Sequence, residues 1–274
     1  MGIPTKSGIE RAKRTLLEKL HRDTTGPFTA IHASRILSLD VKQTRFFLAY
    51  LASRGWLSRI RRGLYSTVPL GAETPSQWRE DPWIVAAHVF APCYIGGWSA
   101  GEHWSLTEQI FRDIIVVTAV STRKTTTTIQ GTVFRLKFLN QAKHYGTRPV
   151  WRGQTKVLVS DPSRTIVDVL DDPRLGGGIR HVTDMLAVYF SGEHRNEKRL
   201  LEYAAKIGNR SVFKRLGFLV ERLKIKAPGF IARCHRMQSS GLTLLDPAVK
   251  HRGRIVKRWN LRVNVVDGSV EKSV

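Results

Sequence analysis

The fifteen residues SRGWLSRIRRGLYST, positions 53 to 67, constrain this chain more than any other stretch. Two short runs rich in apolar side chains, 57–60 and 64–68, flank Arg61-Arg62-Gly63. Runs this short, bounded by glycines, read as strands, and Gly63 can take the positive φ that a tight hairpin turn requires. Gly55, just upstream, closes the preceding helix in the left-handed position. That helix opens at Asp40, and Asp40 with Gln43 has capping-box spacing. Its period turns Phe47, Leu48 and Leu51 inward and Lys42, Gln43, Arg45 and Ala49 outward. Two more helices precede it. One covers 6–21, with Ile9, Ala12, Leu16, Leu17 and Leu20 at helical spacing, and ends at Gly26-Pro27. The other starts from a Thr29 cap and runs through Ile31, Ala33, Ile36 and Leu37. Three short helices and a hairpin predict a winged helix-turn-helix over residues 1–70. In that arrangement the third helix enters the major groove and the wing tip reaches phosphate or the minor groove. The candidate DNA-binding residues are therefore Lys42, Gln43, Arg45, Arg59, Arg61 and Arg62. The alternative for the arginines is an ordinary hairpin with solvated charges.

Charge supports a polyanionic partner. Lys plus Arg number 45 against 22 Asp plus Glu, a net +23 over 274 residues. Residues 1–70 carry 13 basic and 4 acidic side chains, and residues 161–274 carry 22 and 12. Such an excess favours nucleic acid, with a solvated basic surface as the alternative. The two cysteines, Cys93 and Cys234, lie far apart, which excludes a cysteine zinc site or a disulfide framework and fits a reducing compartment. No apolar run is long enough to span a bilayer and no signal-peptide pattern opens the chain, so a soluble cytoplasmic protein with no membrane partner is expected.

Residues 69–80 contain two prolines and small polar side chains, and 71–80 is expected to be a linker. Beyond it, 81–274 reads as a mixed α/β domain, making the whole chain α+β. Asp81-Pro82 starts a helix. Strands are expected at 113–119, 131–139 and 156–159, with a shorter one before Gly96-Gly97. Helices are expected at 160–172, 179–190, 197–207, 211–224 and 229–238, and a closing strand at 259–265. Trp98 and Trp104 are read as core. Arg210, Lys214, Arg215 and Arg222 fall around Val212, Phe213, Leu216 and Leu219, and are expected to form an exposed basic face. Through this face RNA becomes a candidate partner of the second domain; a solvated helix face is the alternative.

Four stretches carry a resemblance. YIGGWSAGEHWSLTEQIF (94–111), VSDPSRTIVDVLDDP (159–173), GNRSVFKRLGFLVERL (208–223) and the closing LLDP…RGRIVKRWNLRVNV are similar to the AbiEi family, antitoxins of type IV abortive-infection toxin–antitoxin systems. The likeness covers nearly the whole chain, RRGLY included. It implies an N-terminal winged helix that binds operator DNA with inverted repeats and represses its own operon. It also implies a C-terminal domain that counteracts a nucleotidyltransferase-like toxin without needing a stable complex. Arg210, Lys214 and Arg215 are the candidates for that antitoxin role. Gly101 departs from the pattern, where a larger side chain is expected.

The remaining chemistry points away from catalysis. No two of the nine histidines are three or four apart, and Gly176-Gly177-Gly178 lacks the Lys and Ser/Thr of a phosphate loop. Glu102 and His103 point about 100° apart on a helix and read as a polar cap over tryptophans. Asp168, Asp171 and Asp172 could suggest a nuclease cluster, but Asp168 stands four residues after Arg164, an ordinary ion-pair spacing. No cofactor or metal is expected. The free protein is expected to be mainly monomeric, with two copies on DNA. The alternative to an antitoxin is a nucleic-acid-processing enzyme guided by a winged helix.

Overall fold

The computed structural model describes residues 9–69, 71, 72, 77–250 and 252–265. The expected start of the first helix at 6–8, the middle of the expected linker at 73–76 and the chain after 265 lie outside the described residues.

Six elements form the N-terminal part: α1 (Arg11–Asp23), β1 (Phe28–Thr29), α2 (Ala30–Leu37), α3 (Val41–Ser53), β2 (Leu57–Arg61) and β3 (Leu64–Thr67). Caps set the helix starts. The Thr29 hydroxyl accepts from His32 N at 3.3 Å, and the Asp40 carboxylate accepts from Lys42 N at 2.7 Å and Gln43 N at 3.2 Å. Leu17, Leu20, Ala33, Leu37, Leu48, Leu51, Leu57 and Tyr65 close one apolar core between the helices and the sheet. That sheet has a third strand that the sequence does not announce. β1 is two residues long and pairs antiparallel with β3, Phe28 opposite Tyr65.

The second part opens with α4 (Pro82–Val89), capped by Asp81, whose carboxylate accepts from Trp83 N at 2.8 Å. A six-stranded mixed sheet follows, built from β4 (Cys93–Ile95), β5 (Ile114–Thr118), β6 (Thr126–Ile129), β7 (Thr132–Phe138), β8 (Thr147–Arg152) and β9 (Thr155–Ser160). Its order is β6-β7-β5-β4-β9-β8. α5 (Gly97–His103) leaves β4 through Gly96. The helical half comprises α6 (Pro162–Asp171), α7 (Ile179–Ser191), α8 (Glu197–Ile207), α9 (Ser211–Arg222) and α10 (Pro228–Met237). α6 is its pivot: it is buried from Pro162 to Leu170 and packs against α5, α7, α8 and α9. A small sheet closes the described chain, with β12 (Leu261–Val263) between β10 (Thr243–Leu244) and β11 (Arg254–Val256). The architecture is mixed α+β, as the sequence suggests. No helix among the described residues is long and apolar enough to cross a membrane.

The two parts touch through the β2–β3 hairpin. One face of it, with Leu57 and Tyr65, belongs to the N-terminal core. On the other, Ile60 and Leu64 enter the apolar cluster of Trp83, Ile84, Val116, Phe134 and Val159. Ser58 donates to Trp78 O at 3.2 Å, Gln130 donates to Ser58 at 2.8 Å, and Ser66 bonds Glu80. The Thr155 hydroxyl donates to Thr25 O at 2.8 Å. An excised N-terminal part would therefore expose Ile60 and Leu64 to water.

Two glycines let large side chains close in. Gly101, where the resemblance leads one to expect a bigger residue, lies under the flexible end of Met185. Gly217 on α9 lies against the indole of Trp259, which is fully buried and donates Nε1–H to Glu221 at 2.6 Å. A methyl at Gly217 overlaps that ring. Gly217→Ala is expected to destabilise the protein by about 1–3 kcal/mol through overpacking. Gly→Ala in an open helix instead stabilises by about 1 kcal/mol. A urea midpoint that stays put or rises would show that the indole moves aside.

Candidate nucleic-acid interface

The surface of α3 follows from its cap and its period. Asp40 fixes the first turn, and Thr44, Leu48 and Leu51 point into the core. Lys42, Gln43, Arg45 and Ala49 are exposed, as expected. Phe46 stands among them at 70% exposure, a ring left in water on an otherwise polar face. Nothing local in the sequence singles out Phe46, because neighbouring Phe47, half-buried, fits the apolar stripe and one aromatic looks like the other. Ser38, at φ 54°, makes the turn between α2 and α3.

Arg59, Arg61 and Arg62 are exposed on the hairpin. Gly63 has φ 77° and open space where a Cβ would stand, so only its backbone angle demands glycine. A register shift between Arg59 and Arg61 adds local twist beside the turn. The packing of Ile60 and Leu64 on the second part fixes the hairpin as a rigid carrier of these cations. The sequence could not show this, because Ile60 and Leu64 read equally well as one half of an isolated hairpin.

Of the four residues expected to form a basic face on α9, Arg210 and Arg222 are exposed; the Arg210 Nε donates to Met237 O at 2.8 Å. Lys214 is fully buried and Arg215 nearly so, correcting the expectation. The segment 241–246 and the closing sheet cover α9 with backbone carbonyls. Lys214 Nζ bonds Gly241 O and lies 3.2 Å from the Thr243 hydroxyl. Arg215 donates to Leu170 O at 2.8 Å, Leu245 O at 3.0 Å and Leu244 O at 3.1 Å. Burial, and then the neighbouring Arg215 charge, pulls the Lys214 ammonium below its ordinary pKa. Both side chains tie α9 to other elements. Gly217 three residues on, which permits close packing, is the one sequence signal of a covered helix.

The aspartates are also spoken for. Arg164 and Asp168 pair at 2.9 Å inside the protein, and Tyr94 OH donates to Asp168 at 3.0 Å. Burial pushes the Asp168 carboxyl up to about 6, against the pull of Arg164. Asp171 accepts from Asn209 at 2.8 Å, and Asp172 holds Arg174 and Lys137. Among the described residues no three His, Cys, Asp or Glu stand together to hold a metal ion. Trp98 is buried and stacked on Phe111 at 4.5 Å between ring centres, while His103 sets its ring against Trp83 and Trp104.

Comparison of the chain with protein-family models and with curated proteins finds no match.

Proposed function

We propose that this protein is a DNA-binding antitoxin and autorepressor of the AbiEi kind. In this reading α2 and α3 form the helix-turn-helix and β2–β3 is its wing. α3 reads the major groove with Lys42, Gln43 and Arg45, and Arg59, Arg61 and Arg62 grip the backbone. One observation carries this half: these six side chains, five of them cationic, are all exposed on the one helix and the hairpin beside it. The antitoxin half rests on the sequence resemblance and belongs to residues 81–274, opposing a nucleotidyltransferase-like toxin. Because one winged helix reads too few base pairs for operator selectivity, two copies occupy an inverted repeat while the free protein stays mainly monomeric.

The test is a gel shift with the chain's own upstream DNA over a salt series. Neutralising about six phosphates makes log K fall against log salt with a slope near −5. A slope near zero removes the DNA-binding half of the proposal, and a tight dimer by light scattering without DNA removes the two-copy arrangement.

Phe46 adds a base-reading expectation. Its exposed ring lies on the groove-facing side of α3, where an apolar side chain meets the thymine methyl. Replacing contacted thymines by uracil is expected to weaken binding about fourfold per methyl, from the ~0.8 kcal/mol of one buried carbon. Phe46→Ala should bind the two DNAs alike. Equal loss on uracil substitution in the variant would assign the methyl contact to another residue.

A further inference from the structure

A second charged surface lies far along the chain from the winged helix and owes nothing to it. β7, the loop before β6 and the turn after α6 enclose an open cleft of about 400 Å3. Lys124, Arg135, Lys137 and Arg174 line it, and Asp172 is its only acidic residue. Thr122, Thr125 and Thr126 add hydroxyls, and the ring of Phe138, 52% exposed, stands in the same wall.

Three of the four cations, Arg135, Lys137 and Arg174, are held in place before any ligand arrives. The Asp172 carboxylate, nearly buried, grips Arg174 through Nε and Nη2, both at 2.8 Å, and Lys137 at 3.2 Å. Burial pushes Asp172 up, yet the hydrogen bond from Arg174 and the charge of Lys137 outweigh it and keep its pKa below the ordinary value. Arg135 is fixed by Asp113 at 2.7 Å and by the face of Trp98. Each side chain keeps donors that its aspartate does not use: a guanidinium has five N–H groups and an ammonium three. Fixed cations with spare donors lose little entropy on binding. Arg174 also lines the neighbouring cavity of about 630 Å3, where Arg180 and the Asp246 carboxylate stand among glycines and aliphatic side chains.

We propose that this cleft is a binding site for nucleotide phosphates, whether of a free nucleotide or of a single-stranded RNA. Several forked and hydroxyl donors suit the non-bridging oxygens of a phosphate, and an exposed aromatic ring suits a base. An acidic peptide would match the cations but leave Phe138 without purpose.

The experiment uses the full chain and fluorescence anisotropy. The probes are a labelled eight-nucleotide single-stranded RNA and, as competitors, ATP and poly-glutamate. Lys124→Ala with Arg174→Ala is the test variant, since Lys124 is exposed and Arg174 is 69% exposed. RNA affinity is expected to fall about tenfold, and its salt slope to shrink by about 1.4, or about 0.7 for each of two lost phosphates. Binding of the upstream duplex should stay within about twofold of the unchanged protein, since it is charged to another surface. Displacement by ATP assigns the site to free nucleotide; binding of RNA that ATP leaves in place assigns it to the strand. No binding of either probe at low salt, binding that the variant leaves unchanged, or displacement by poly-glutamate as effective as by RNA each overturns the proposal. Thermal melting of the double variant guards against misfolding, and Lys124→Ala alone, expected to lose about half as much slope, replaces it should the melt shift.

Discussion

Arg215→Met is expected to destabilise the protein by about 3–5 kcal/mol, since one guanidinium satisfies two buried carbonyls and a third half-buried one, and methionine none. Methionine keeps the apolar stem, so the loss isolates the donors and not the volume. For a chain of this size the melting temperature should fall by about 6–20 °C, at 2–4 °C per kcal/mol. Arg210→Met, five residues earlier and exposed, is the control and should stay within about 0.5 kcal/mol. Urea denaturation with an unchanged m-value is the measurement. If the two variants shift alike, the buried placement of Arg215 is wrong. The same geometry changes how a charge reversal on α9 is read. Glutamate at 214 or 215 would face backbone carbonyls with a buried like-signed group, and lost toxin neutralisation would then report an unfolded protein and not a damaged surface.

The second large effect falls on DNA. Changing Arg59, Arg61 and Arg62 together to Ala is expected to flatten the salt slope by about 2.7, at 0.9 per phosphate contact, and to weaken all duplexes alike by roughly a hundredfold at moderate salt. Stability should hardly move, because the three side chains are exposed and the hairpin is held by Leu57, Ile60, Leu64 and Tyr65. Changing Gln43 or Arg45 instead should alter which sequence is preferred, by about 1–3 kcal/mol at the base pair read. Quantitative gel shifts on the upstream DNA and a scrambled duplex separate the outcomes. An unchanged slope in the triple variant would leave the hairpin as ordinary solvated surface.

Local chemistry was enough to write much of this protein. Thr29, Asp40, Asp81 and Asp161 start helices because a short acceptor side chain reaches amides two or three residues away, and nothing distant is needed. Gly55 and Gly63 end a helix and turn a hairpin because a positive φ is a property of one residue. The outward set on α3 follows from a period of 3.6 once Leu48 and Leu51 are known to be apolar. Arg164 and Asp168 meet because four residues of helix bring them together. Where the partner lies far along the chain, sequence fell short. β1 exists only because Phe28 and Thr29 lie beside β3, and two residues have no period to read. β6 is the exception: its partner β7 begins three residues after it ends, and it is hidden because a run of threonines carries no apolar alternation. Phe46 and Phe47 are told apart only by the packing around them. Lys214 and Arg215 carry the same local pattern as a solvated stripe. Their burial was decided by residues 241 to 260, some thirty to forty-five positions later, whose carbonyls offer those charges the hydrogen bonds that water would otherwise give.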